Sequence, residues 1–117
     1  MEKIIEFELD YLPPSVNAIY LRSKHGGVFI SQRARDFKQR IENAVKHLMD
    51  KPVEGELRIE AEFSLRRKGK RDLDNMLKVL CDAMNNIVYK DDNQIMEISC
   101  KKEYTTINKT KIVVYFL

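Results

Sequence analysis

The chain has 117 residues, of which 21 are basic and 18 acidic, for a net charge of +3, and 44% are hydrophobic. This is one domain's worth of chain with enough apolar residues for a core, which argues against disorder. So small a net charge cannot by itself mark a nucleic-acid binder, so the placement of charge along the chain matters more.

No apolar run approaches the ~20 residues that span a bilayer, and the opening Met-Glu-Lys-Ile-Ile-Glu carries acids where a signal peptide is apolar. The two cysteines, Cys81 and Cys100, match no zinc or redox spacing and fall in apolar-periodic segments. They read as buried thiols in a reducing compartment. A cytoplasmic protein without membrane contact or organic cofactor is expected. His25 and His47 are isolated and receive no role.

In chain order, Ile5, Phe7 and Leu9 alternate with Glu6, Glu8 and Asp10, which predicts a half-buried strand. Pro13 and Pro14 end it. Ala18-Ile19-Tyr20-Leu21 and Val28-Phe29-Ile30 flank residues 22–27, whose Gly26-Gly27 suggests a hairpin. Ser31 is an N-cap for a helix carrying Ala34, Phe37, Ile41, Ala44, Val45 and Leu48 inward and ending near Asp50. Leu57, Ile59, Ala61, Phe63 and Leu65 alternate with polar residues, the clearest strand pattern in the chain.

A second helix is expected to bury Leu73, Leu77, Leu80, Cys81, Met84, Ile87 and Val88. After the loop at residues 89–94, a strand carries Met96, Ile98 and Cys100 inward. Residues 112–117 are apolar on both faces, as in a central strand. The expectation is an α+β fold over residues 1–117. Its single domain has a mixed sheet with two amphipathic helices on one face, in the order β, β-hairpin, α, β, α, β, β. The sequence leaves the strand order open.

The chemistry concentrates between residues 66 and 92. Arg66-Arg67-Lys68-Gly69-Lys70-Arg71 runs directly into Asp72 and Asp74. Carboxylates two apart point to one side of an extended chain, and a pair of them suits a hard cation such as magnesium. Asp74, Lys78 and Asp82 follow at i, i+4 and i+8 on one helix face. Asp91 and Asp92 lie in the loop beyond.

Acidic ligands alone repel a phosphodiester, and the adjoining basic run offsets that. Each feature also has a plain structural reading. Asp74 suits a helix N-terminus, a basic loop suits a solvated turn, Lys78 and Asp82 suit a surface pair, and Asp91-Asp92-Asn93 suits a turn. Together they suit a metal-dependent phosphodiesterase. Two other readings stay open: a branched-DNA-binding protein without catalysis, and a magnesium enzyme acting on a small phosphate ester. Against the latter, the chain has no glycine-rich phosphate loop.

Arg71-Asp72-Leu73-Asp74-Asn75, Lys78, Cys81-Asp82-Ala83-Met84 and Asp91-Asp92-Asn93-Gln94-Ile95 together resemble the RusA family of Holliday-junction resolvases. Pro13-Pro14-Ser15-Val16-Asn17-Ala18-Ile19-Tyr20 is similar to that family's early segment. The resemblance implies an endodeoxyribonuclease that cuts four-way junction DNA with Mg2+, in recombination and repair, often encoded by prophages.

It further implies Asp72, Asp74 and Asp92 as metal-site and catalytic acids, with Asp91 ranked below Asp92. Lys78 would be the catalytic lysine. Arg71 would be a phosphate contact, and the rest of the basic run, Arg66, Arg67, Lys68 and Lys70, together with Asn17, is the candidate DNA-binding set. The implied assembly is a homodimer, whose two-fold symmetry matches paired nicks. The N-terminal strand and residues 112–117 are the candidate interfaces.

Overall fold

The computed structural model describes residues 1–15 and 20–117, with residues 20–22 and 29 described by their backbone alone. Its strands are β1 (Glu2–Leu9), β2 (Tyr20–Arg22), β3 (Val28–Ile30), β4 (Leu57–Leu65), β5 (Ile95–Tyr104) and β6 (Lys109–Phe116). Its helices are α1 (Gln32–Val45) and α2 (Leu73–Ala83), with a 3-10 turn at Asp92–Gln94.

Four strands form one sheet in the order β1-β6-β4-β5. β6 is antiparallel to both β1 and β4, and β4 runs parallel to β5, with α2 as the crossover. β2 and β3 pair as a separate antiparallel hairpin, Tyr20 opposite Ile30. Gly26 and Gly27 hold φ of +85° and +83° at its tip, a conformation that favours glycine. The expected strand residues Ala18 and Ile19 lie outside the described residues.

The strict alternation of β4 is realised in full: Leu57, Ile59, Ala61, Phe63 and Leu65 are all buried. They join Ile5, Phe7 and Leu9 of β1, Ile112 and Val114 of β6, Phe37, Ile41 and Val45 of α1, and Met76, Val79 and Leu80 of α2 in one core cluster. Both helices therefore cover the same face. The opposite face carries charges, among them Glu8, Glu62, Lys101 and Lys111. No helix among the described residues is long and apolar enough to cross a membrane.

Ser31 caps α1 as expected, its Oγ accepting from the Ala34 amide at 3.2 Å. The helix stops at Val45 instead of near Asp50. The amides of Leu48 and Met49 both turn back to the Val45 carbonyl, so Leu48 leaves the apolar stripe and is 54% exposed. Met49 packs against the core in its place.

α2 also ends early, at Ala83. Asn86 adopts φ +65°, which breaks the helix before Ile87 and Val88. Val88 is fully buried all the same, but from the loop. The α2 stripe turns out to centre on Met76, Val79 and Leu80, with Leu73 and Leu77 at its margin. Lys38 of α1 reaches across to the end of α2, its Nζ donating to the carbonyls of Ala83 (3.1 Å) and Asn85 (2.5 Å). Those carbonyls would otherwise be orphaned at a helix C-terminus.

β6 is central, as its two-sided apolarity predicts. Both of its edges are paired, so it offers no edge to a second copy. β5 departs from expectation. It is an edge strand, and Met96 and Ile98, expected inward, are 58% and 44% exposed. Cys100 is half-buried, not buried.

Candidate active site

The N-terminus of α2 gathers most of the predicted site. Asp72 is its N-cap residue, with extended backbone (φ −74°, ψ 132°). Its side chain makes no capping bond to the helix amides. Instead Asn75 Nδ2 donates to Asp72 Oδ2 at 3.3 Å. Asp74 lies in the first turn. The two acids are therefore related as cap and second helical residue, not as neighbours in an extended chain. Both side chains are exposed and sit in the positive field of the helix end.

The basic run packs directly against this helix start. Residues 66–70 are exposed and Arg71 is half-buried. The Arg71 guanidinium donates to the Pro13 carbonyl, and its burial works against its charged form. Lys102 Nζ of β5 donates to the Arg71 carbonyl at 2.8 Å. Asn108 Oδ1 accepts from the Arg66 amide at 2.8 Å, and the Lys68 ammonium lies 6.0 Å from the centre of the Tyr104 ring. The loop is thus held at both ends by backbone bonds while most of its cations face outward. Asn17 lies outside the described residues. The Arg71–Pro13 bond nonetheless brings the Pro13-Pro14-Ser15 segment to the start of α2 from 58 residues away in sequence.

Along the outer face of α2, Lys78 Nζ lies 3.4 Å from Asp82 Oδ2. The eight residues from Asp74 to Asp82 rise about 12 Å along the helix. Asp92 comes in at the Asp82 end. Its carboxyl is raised above the usual carboxylate range, first by partial burial and then by hydrogen bonding with Asp82 and Asp91, which Asn85 partly counters. Asp82 is the residue that the sequence reading placed on this face but not in the site. Its i, i+8 relation to Asp74 was the available signal. Among the described residues, no three His, Cys, Asp or Glu side chains stand close enough together to hold a metal ion.

The turn that carries Asp92 is firmly built. Asp91 Oδ1 accepts from the Asn93 amide at 3.0 Å, and Gln94 Oε1 accepts from the amides of Lys90 and Asp91, each at 3.0 Å. Gln94 Nε2 donates to the carbonyls of Val53 and Gly55 at 3.0 and 2.9 Å. The Asp91 carboxylate is thereby engaged in a capping box, and Asp92 is the acid of the pair that meets Asp82. Beneath the turn, fully buried Tyr89 donates its hydroxyl to the Cys81 carbonyl at 2.5 Å. Burial pushes the Cys81 thiol up to about 12, so it stays protonated.

The donor chemistry suits magnesium, which takes one or two carboxylates plus waters and substrate phosphate oxygens and needs no all-protein cage. Asp82 opposes ionisation of the Asp92 carboxyl beside it, an opposition that a nearby cation would relieve. A stability effect follows. Because the folded-state carboxyl of Asp92 is raised, the native state binds the proton more tightly than the unfolded chain. Ionisation then costs stability progressively as pH rises from the ordinary aspartate range through the raised value. Asp92→Asn is therefore expected to raise Tm at pH 7 without divalent metal. The gain should vanish once pH falls below the ordinary aspartate range, and calorimetry across pH 3–8 measures it.

A family model described as Endodeoxyribonuclease RusA matches residues 10–115 of the chain. A protein of Aquifex aeolicus (strain VF5) named "Crossover junction endodeoxyribonuclease RusA" is 34% identical over 101 residues, covering 85% of this chain and 80% of the relative. One of Enterobacteria phage HK97, "Crossover junction endodeoxyribonuclease rusA", is 29% identical over 90 residues, covering 76% and 73%. "Uncharacterized protein YqaN" of Bacillus subtilis (strain 168) is 34% identical over 50 residues, covering 43% of this chain.

Proposed function

Because the chain belongs to the RusA family of endodeoxyribonucleases, we propose that it resolves four-way junction DNA by paired, magnesium-dependent nicks, with residues 1–117 acting as one endonuclease domain. The observation that carries this reading is the start of α2, where exposed Asp72 and Asp74 adjoin an outward-facing basic loop. Carboxylates without that loop would repel a phosphodiester, and the loop without them would bind without cutting.

In this reading Asp72 and Asp74 at the start of α2, and Asp92 at the Asp82 end of the same face, are the carboxylates that would serve magnesium, one or two to an ion, and the metal when bound would supply positive charge against the phosphate. Waters and substrate phosphate oxygens would supply the remaining ligands, so the protein would not need to enclose the ion by itself. Arg66, Arg67, Lys68 and Lys70 hold the DNA backbone on either side of the scissile phosphate. Arg71 has two tasks: its guanidinium bonds Pro13, and its remaining donors face the phosphate. Asn17 contacts DNA near the junction. Lys78, one turn into α2 from Asp74, offers charge or a proton to the leaving oxygen. Asp82 keeps the ammonium on that face through its 3.4 Å ion pair. The protein acts as a homodimer, whose two sites are related as the two nicks are.

The test is a synthetic four-way junction with each strand end-labelled in turn, incubated with protein across a magnesium titration. Symmetric nicks in two strands of like polarity are expected, absent without the metal and absent on linear duplex. Binding without nicks at any magnesium concentration would refute the proposal.

A further inference from the structure

β5 is ten residues long and, among the described residues, has no strand paired along its outer edge. Such an edge presents unpaired backbone donors and acceptors and invites another strand. The opposite edge, β1, is guarded: Ile5, Phe7 and Leu9 are buried, and Lys3, Glu6 and Glu8 are paired within the protomer. On β5 the apolar side chains Met96 and Ile98 remain exposed.

The charged face of the sheet adds a second observation. Across the four strands, Glu8, Lys111, Glu62 and Lys101 stand in register, alternating in sign. The row ends at the open edge on Lys101, which lies 3.6 Å from Glu62. A neighbouring row ends there on Glu97, 3.2 Å from Arg58. Opposite charges thus stand four residues apart on the free edge, placed symmetrically about Ser99.

We infer that two copies of the chain pair antiparallel through β5 about a two-fold axis at Ser99, joining their sheets into one of eight strands. This inference rests on the dimer of the preceding section and names its surface. A two-fold axis perpendicular to the sheet returns each face to itself, so it passes through a residue and pairs side chains of one face. With the axis at Ser99, Glu97 faces Lys101 of the second copy, twice over, and each sign alternation continues across the seam. On the helix face the same axis sets Ile98 against Cys100 of the second copy, covering the exposed apolar group.

Shifted axes lose both matches. At Cys100, Glu97 meets Glu103 and Ile98 meets Lys102. At Lys101, that lysine meets itself. At Ile98, Glu97 meets Ser99 and Lys101 meets Ile95. Like charges set opposite one another destabilise a strand pair, so the two faces select the same register independently. The pairing also sets the Asp92 end of one β5 beside the Lys102 end of the other. The acidic turn of one copy and the basic loop of its partner then share one end of the joined sheet.

The test combines a cross-link with a charge swap. Directly opposed residues of antiparallel strands have Cα atoms about 4.5–5.5 Å apart, within disulfide reach. Ser99→Cys in a Cys100→Ser background should give a covalent dimer under mild oxidation, whereas Glu103→Cys in that background should not. Glu97→Lys should weaken dimerisation about tenfold or more by sedimentation, and adding Lys101→Glu should restore it.

A dimer by light scattering that fails to cross-link at position 99, or that ignores the swap, overturns the inference. So does a wild-type monomer. Junction cutting is scored separately. A position-99 cross-link in a protein that does not cut would sink the resolvase reading and leave the interface standing, and cutting by a protein that does not cross-link would do the reverse.

Discussion

Asp74→Asn is expected to reduce junction cutting by about a thousandfold or more, while junction binding stays equal or tightens. The size follows from the role proposed for the acid. Charge neutralisation at the phosphate by a held metal contributes several kcal/mol in the transition state, and each 1.36 kcal/mol is about tenfold in rate. The sign of the binding effect follows from electrostatics, since Asp74 is an exposed negative charge beside the basic loop and its removal lowers repulsion of the backbone.

The substitution is also mild for the fold. Asn is helix-compatible, and the loss of a first-turn charge costs about 0.3–1 kcal/mol at most. Cutting and binding should therefore separate cleanly: electrophoretic shift on a four-way junction in calcium reads binding, and single-turnover nicking in magnesium reads chemistry. Full nicking by Asp74→Asn would remove Asp74 from the metal site and leave it as an ordinary first-turn acid.

Phe63→Ala should cost about 3–5 kcal/mol of folding stability, the usual range for emptying a buried aromatic site. Phe63 is completely buried on β4, between Lys102 of β5 and Thr110 of β6. It lies under the helix layer, where neighbouring elements are held on both sides and cannot collapse into the space. A domain of this size has about 5–15 kcal/mol in total, so the variant should unfold at a far lower urea concentration, with an unchanged m-value if the native fold persists. Cutting should fall in proportion to the folded fraction. A loss below 1 kcal/mol would mean that the β4 face is less tightly packed than its burial indicates.

The comparison of β4 with β5 marks what local pattern can and cannot reveal. Both strands alternate, and in both the alternation tells which side chains share a face. For β4 that face is covered by helices, so Leu57 through Leu65 are buried as read. For β5 the same logic assigned Met96 and Ile98 inward. They are exposed because β5 ends the sheet, and periodicity carries no information about how far a covering layer extends.

α2 gave the related lesson along a helix. Ile87 and Val88 extend its stripe on paper, but Asn86 at φ +65° ends the helical path before them. In the site, Asp72, Asp74 and Lys78 were readable because cap, first turn and i+4 position are local relations. Asp82 follows at i+8, but nothing in the spacing says that Asp92 returns to that end of α2.

By itself, then, the sequence determined the order of helices and strands, the family, and the concentration of acids and cations in residues 66–92. All of these depend on residues a few positions apart, where backbone geometry dictates proximity. Only the tertiary structure decided the rest. It inserted β6 between β1 and β4, left β5 with an open edge, tied Arg71 to Pro13 and set Asp92 against Asp82. Those arrangements result from burying one shared core across the whole chain, and contacts between distant segments are selected by that burial and not by any spacing a local reading can see.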